Sequence, residues 1–252
     1  MQTIGGLTRE QRGRYHDAGF VRLPGFAPPK VCERMLDRVV EIARAHAARQ
    51  PGAPGLVLPE ANLAGSAGDP EDLVSKIFRL HRDGVFADFA GSRELTGLIA
   101  GLIGPRIDCF LSQYIFKNPG AWGQPWHQDS FYFPFEPPRP IVGAWLAVTE
   151  ATLDNGCLHV LPGSHHEPVH RHEADRRPGA NYGYVEIVDH DVSGSEPVLM
   201  SPGDLLLFDS HLMHRSTDND SPGIWAAMVY HYAATGTVDH GSNLVNDFVT
   251  VR

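Results

Sequence analysis

No apolar run in the chain approaches the roughly 20 residues that a membrane-crossing helix needs, so no membrane partner is expected. Cysteine is scarce. Cys32, Cys109 and Cys157 are widely spaced, with no Cys-x-x-Cys pair, which argues against a disulfide scaffold and a zinc ribbon and leaves buried apolar residues or spare thiols. Basic residues are outnumbered: 21 Lys and Arg stand against 30 Asp and Glu, for a net charge of −9. Phosphate binding needs a clustered basic surface and none is legible, so no nucleic-acid partner is expected and a small-molecule partner is favoured. Residues 1–14 lack the apolar core of a secretory leader, which makes the cytoplasm the expected compartment. Internal repeats and low-complexity tracts are also missing.

What is present is the composition of a globular protein, 42% hydrophobic and 20% charged. A chain of 252 residues can bury one large core, and nothing requires a second domain. Leu7 followed by Thr8-Arg9-Glu10-Gln11 reads as a capping box opening a short helix that ends near Gly19, with a strand from Phe20 to Leu23. After Pro28, the spacing of Val31, Met35, Val39, Ile42, Ala43 and Ala47 marks one stripe of a long helix to about Arg49. Residues 51–68, rich in Gly, Pro and Ala without periodicity, predict an exposed or mobile loop able to cover a site. Asp69-Pro70 predicts the start of a helix through Leu73, Ile77 and Leu80, carrying Lys76 and Arg79, and another helix begins near Ser92.

From Ile107 the texture changes to short β-prone runs between Gly and Pro: 107–116, 141–149, 158–161, 185–188, 198–200, 205–208 and 224–232. Such spacing predicts an antiparallel sandwich or barrel. The expected organisation is therefore one domain over 1–252, with a mainly helical part (1–105), a β core (106–235) and a C-terminal tail (236–252).

Within the β part, Trp126-His127-Gln128-Asp129-Ser130 carries a His-x-Asp. If these residues are extended, His127 and Asp129 point one way and Gln128 the other, so an imidazole and a carboxylate converge. A third ligand would complete a two-histidine, one-carboxylate triad suited to iron(II), with positions left open for reactants. The candidate is His214, with His211 competing. His-x-Asp alone recurs by chance in many proteins, so its surroundings decide its meaning.

Those surroundings are Gln124-Pro125-Trp126-His127-Gln128-Asp129, Gly143-Ala144-Trp145-Leu146-Ala147, the run from Asp154 to His165, Pro202-Gly203-Asp204 with the apolar run to Phe208, and His214-Arg215-Ser216. Together they resemble the phytanoyl-CoA dioxygenase family. The resemblance implies a mainly β fold, a double-stranded β-helix (jelly roll, cupin-like) with supporting N-terminal helices. It also implies an oxidoreductase that binds iron(II), takes 2-oxoglutarate as cosubstrate and consumes dioxygen to oxidise a C–H bond of a small molecule such as a biosynthetic intermediate. Family spacing, with Asn219 and Ser221 following, favours His214 over His211, and leaves His165 and His166 as loop residues. Relatives that halogenate lack the carboxylate, so Asp129 implies hydroxylation, desaturation or oxidative cyclisation. In the same register Lys76, Gln113, Trp145 and Ser216 fall where relatives touch the oxo acid, although Gln113 replaces an expected methionine. Phe131, Tyr132, Phe133 and Phe135 are candidates for an aromatic wall.

One departure stands out. Eleven residues after His214 the family usually places an arginine for the distal carboxylate of 2-oxoglutarate, and here stands Trp225. An indole offers one neutral donor and no bidentate charged pair. A charge-assisted hydrogen bond contributes roughly 1.5–3 kcal/mol, so an uncompensated loss lowers affinity by about one to two decades. Three expectations follow: Lys76, Arg79 or Arg215 supplies the charge; the cavity takes an oxo acid lacking that carboxylate; or the indole blocks it, leaving a catalytically impaired metal-binding protein with a binding or regulatory role.

Overall fold

The computed structural model describes residues 6–241 and 246–252, so part of the expected tail, 242–245, lies outside the described residues. The chain runs α1 (Arg9–Ala18), β1 (Phe20–Leu23), α2 (Pro29–Ala47), β2 (Leu56–Pro59), β3 (Val74–Phe78), α3 (Gly84–Ala90) and α4 (Arg93–Ile103). It continues through β4 (Ile107–Lys117), β5 (Phe135–Glu136), β6 (Ile141–Ala147), β7 (Leu158–Val160), β8 (His172–Ala174), β9 (Val185–Ile187) and β10 (Glu196–Val198). The last strands are β11 (Leu205–Asp209), β12 (His214–Ser216), β13 (Trp225–Ala234), β14 (Val238–Asp239) and β15 (Val249–Thr250).

The larger sheet is ordered β1-β11-β6-β13-β4-β3-β2, with β15 also on β4, and the smaller is β10-β7-β12. Strand alternation gives the larger sheet two faces with different duties. Tyr114, Phe116, Ala144, Leu146, Met228, Tyr230 and Tyr232 pack with α2, α3 and α4. The Tyr230 and Tyr232 hydroxyls donate to the carbonyls of Phe86 and Ala90, both at 3.0 Å, tying α3 to the sheet. Trp145, Ala147, Leu206, Phe208, Trp225 and Val229 face the other way and pack against Leu158, Val160 and Val198 of the smaller sheet. This is the expected jelly roll with helical support.

Local chemistry explains the well-anticipated ends. Thr8 accepts from the Gln11 amide and Gln11 returns a bond to Thr8, while Gly19, at φ 86°, closes α1 in the left-handed region. Helix α2 buries Cys32, Met35, Val39, Ile42 and Ala43 as one stripe. All three cysteines are free and buried.

Residues 70–80 correct the helical expectation. Only Pro70–Leu73 makes a short 3-10 turn behind Asp69, after which Val74–Phe78 is a strand. The i, i+3, i+4 spacing of apolar residues there arises from a strand buried on both faces between β2 and β4, not from an amphipathic helix. The 51–68 segment is likewise not all loop, since Leu56–Pro59 pairs with β3. The strand expected at 198–200 lies earlier, at Glu196–Val198, and β12 had no apolar run to announce it. Among the described residues, no helix is long and apolar enough to cross a membrane.

Gly143 on β6 is a close-approach position: a Cβ there would lie 2.2 Å from the Phe208 ring. Gly143→Ala is therefore expected to destabilise the chain by about 1–3 kcal/mol through overpacking, measured as a lowered urea midpoint with an unchanged slope.

Candidate active site

His127 and His214 come from distant parts of the chain and are joined through their backbones. The His127 amide donates to the His214 carbonyl (2.9 Å) and the His214 amide donates to the His127 carbonyl (3.0 Å), making an antiparallel bridge. Gln128 remains extended, and its side chain points away, donating to the carbonyls of Pro168 (3.1 Å) and His211 (2.9 Å). The chain then turns through a short 3-10 segment at Asp129–Tyr132. Alternation thus puts the Asp129 carboxylate beside both imidazoles, 3.5 Å from His127 Nε2 and 3.7 Å from His214 Nε2.

All three residues are buried, and their ligand atoms lie within 4.8 Å of one another. The ring tautomers suit a cation. His127 Nδ1 faces the Pro125 carbonyl at 2.8 Å and His214 Nδ1 the Leu212 carbonyl at 3.0 Å. A carbonyl only accepts, so each Nδ1 carries the proton and each Nε2 presents a lone pair inward. Burial pushes the His214 imidazole down to about 4, which keeps it neutral near neutral pH. Although burial opposes its ionisation, Asp129 sits well below the usual carboxylate range, with His214 and His231 facing it and His231 donating a hydrogen bond to it.

His231, on β13, escaped the sequence reading. Its Nε2 donates to Asp129 Oδ2 at 2.7 Å, leaving Oδ1 turned toward the two ligand-type nitrogens. The signal was present: strand alternation places 225, 229 and 231 on one face, and all three line the same cavity.

That cavity encloses about 510 Å³ and reaches the His127, Asp129 and His214 cluster. Its apolar walls include Leu56, Leu58, Phe78, Trp122, Phe133 and Tyr182. Lys76, Gln113, Trp145 and Ser216 all line it, as does Trp225. Lys76 Nζ donates to Gln124 Oε1 at 3.0 Å and stands 4.7 Å above the Tyr184 ring. Arg79 and Arg215 do not line it, and the Arg215 guanidinium instead sits over the Trp126 ring. His211 is also outside the cluster, bonded through Nδ1 to Ser130 Oγ. Of the four aromatics after the metal motif, Tyr132 and Phe133 reach the cavity, whereas Phe135 packs on Phe110 and Phe131 stacks on His172.

A second lysine, also absent from the sequence reading, lines the cavity. Lys117 is directly opposite Trp225 in the β4–β13 register, with Nζ 4.5 Å above the indole. Its Nζ donates to the carbonyls of Gly156 (2.8 Å) and Thr217 (2.7 Å) rather than to a carboxylate. Burial is the main reason its pKa drops to about 7. Gly156 is required there, because a Cβ would meet the Thr217 carbonyl at 2.4 Å and Lys117 Nζ at 2.8 Å. The indole nitrogens of Trp145 and Trp225 are buried with no hydrogen-bond partner among the described residues. Two unspent N–H donors and a buried ammonium beside a metal-type cluster fit an anionic, chelating cosubstrate.

The family model described as phytanoyl-CoA dioxygenase matches residues 15–227. The chain belongs to the phytanoyl-CoA dioxygenase family. Membership makes it an oxidoreductase of the iron- and 2-oxoglutarate-dependent dioxygenase class. It is 30% identical over 235 residues to the peroxisomal phytanoyl-CoA dioxygenase of Bos taurus, covering 90% of this chain and 68% of the relative. Among solved structures, the phytanoyl-CoA dioxygenase fold seen here resembles the epimerase SnoN, crystallised with Fe3+, alpha ketoglutarate and nogalamycin RO, at a TM-score of 0.69 and 17% identity, covering 93% of this chain and 86% of the other. EctD from S. alaskensis, with 2-oxoglutarate and 5-hydroxyectoine, gives a TM-score of 0.69 at 20% identity, covering 93% and 78%.

Because His231 holds the carboxylate oxygen that the two imidazoles do not face, His231→Phe is expected to weaken divalent-metal binding at this cluster roughly ten- to hundredfold. Equilibrium dialysis with iron(II) under nitrogen measures it, with circular dichroism confirming the fold.

Proposed function

We propose that this family member oxidises a C–H bond of a small, largely apolar molecule by hydroxylation, desaturation or oxidative ring closure, with His127, Asp129 and His214 holding iron(II). The cavity carries this reading: a two-histidine, one-carboxylate cluster opens into an apolar chamber whose buried cation, Lys117, has no carboxylate partner among the described residues. Iron(II) held there would let dioxygen act as the oxidant, the oxo acid and the C–H substrate becoming succinate, carbon dioxide and hydroxylated product, or desaturated or cyclised product with water.

The protein's own part is positioning and charge. His231 and the carbonyls of Pro125 and Leu212 orient the three ligands. Lys117 has spent two hydrogens on carbonyls, and the third is available to the distal carboxylate that Trp225 cannot pair by itself. The Trp145 and Trp225 indoles, Gln113, Ser216 and Lys76 supply further donors around the oxo acid. In this reading the missing arginine has been exchanged for a lysine on the neighbouring strand. Leu56, Leu58, Phe78 and Phe133 exclude water and receive the substrate, and a cavity of about 510 Å³ suits a single small molecule.

A pH signature follows. Lys117 titrates near 7 in a setting where burial lowers it, Asp218, Cys157 and Glu60 raise it, and Lys76 lowers it. Below that value it is charged, above it neutral, while the oxo acid stays ionised throughout and His214 stays neutral. Oxo-acid affinity should therefore weaken as pH rises above about 7, by up to about tenfold per unit. Lys117→Met should weaken it about ten- to hundredfold at pH 6.5 and flatten the pH profile, leaving iron(II) affinity unchanged.

Anaerobic titration of the iron(II) protein with 2-oxoglutarate tests the whole reading through the visible charge-transfer band of bidentate chelation. No band at millimolar oxo acid would mean an impaired metal-binding protein instead. His127→Ala or His214→Ala is expected to abolish iron(II) binding and His211→Ala to spare it; tight binding by the His214 variant would refute the ligand choice.

A further inference from the structure

Outside the cavity, the excursion between β7 and β10 brings together Glu167, His170 and His190. Glu167 Oε2 lies 2.8 Å from His170 Nε2 and 2.9 Å from His190 Nε2, and the two rings meet edge-on with centroids 4.9 Å apart. None of the three lines the cavity. The only ion-pair partners of the Glu167 carboxylate among the described residues are these two imidazoles, while Arg139 reaches the Glu167 carbonyl instead.

The proton arrangement is informative. His190 Nδ1 faces the Asp191 carbonyl at 2.9 Å, and since a carbonyl only accepts, the proton of a neutral ring sits on Nδ1. In that tautomer the Nε2 lone pair points at a carboxylate oxygen 2.9 Å away, an arrangement that a cation shared by the two would satisfy. This repeats the arrangement at His127 and His214, where a backbone carbonyl takes Nδ1–H and turns Nε2 inward. His170 is also held in place: its amide donates to Gln128 Oε1 at 2.8 Å and its carbonyl accepts from His172 Nδ1 at 2.9 Å.

We propose that Glu167, His170 and His190 form a second divalent-cation site, of zinc type, that clamps the excursion between β7 and β10. Two imidazole nitrogens and one carboxylate oxygen are a donor set that zinc binds tetrahedrally with water in the fourth position. The side chains are 40%, 27% and 19% exposed, which leaves room for that water. The cation bridges segments before β8 and after β9, and so braces the stretch bearing Tyr182 and Tyr184 at the cavity and the Gln128 contact between His127 and Asp129. The site does not depend on the reaction proposed above.

Equilibrium dialysis of the purified chain against micromolar free zinc, with metal read by atomic emission, tests this. The expected result is two equivalents in the native chain, one in His190→Ala, one in His214→Ala and none in the double variant. A second measurement guards against misfolding: in the His214→Ala background, zinc should raise the thermal midpoint, and the size-conserving Glu167→Gln should weaken zinc binding at least tenfold. Two equivalents retained in His190→Ala, or none bound by His214→Ala while it remains folded, would overturn the second site. A single equivalent in the native chain that survives His214→Ala and is lost in His190→Ala would count against the iron centre instead.

Discussion

The reciprocal backbone pair between His127 and His214 is the constraint on which the site depends. It fixes two imidazoles side by side, ring centroids 4.2 Å apart, although their positions in the chain are remote. Antiparallel pairing of this kind leaves little freedom in register, because a one-residue slip would turn each side chain to the opposite face. With His127 inward, Asp129 must also be inward and Gln128 outward, and Gln128 is used on that outer side to hold the Pro168 and His211 carbonyls. The same alternation in β13 brings His231 to the Asp129 carboxylate and Trp225 to the wall of the cavity.

Charge in the cavity is organised by pairing across strands. Trp225 and Lys117 are direct partners, so an aromatic face and an ammonium occupy the space together. Burying an ammonium without a carboxylate is costly, and here its pKa falls to about 7 instead of the ion being neutralised by an acidic neighbour. Gly156 makes the arrangement possible, since only a residue without a side chain lets the Thr217 and Gly156 carbonyls close around Nζ. A cavity so equipped carries both its hydrophobic walls and its capacity for an anion within one layer of the jelly roll.

Legibility of the sequence was uneven for identifiable reasons. Helix α2 and the capped α1 were readable because their signals are local, a stripe and a capping box. Strand β3 was misread because a strand buried on both faces loses its alternation, and its apolar spacing then fits a helix equally well. Strand β12 was missed because His214-Arg215-Ser216 has no apolar run, and pairing with β7 alone makes it a strand. Lys76 remained a site candidate despite the wrong element, since its position relative to the other motifs did not depend on whether it was helical.

Sequence alone determined the family-type motifs, the β core with helical support, the convergence of His127 with Asp129, and the anomaly at Trp225, because each rests on residue identity and short-range spacing. Tertiary structure decided which cations stand beside the anomaly. Lys76, Arg79 and Arg215 were the visible cations, yet Arg79 and Arg215 lie outside the cavity and Lys117 lies within it beside Lys76. Which basic side chain reaches a cavity depends on the register between strands distant in sequence, and the pairing of Lys117 with Trp225, like that of His231 with Asp129, exists only once β4 and β13 lie side by side.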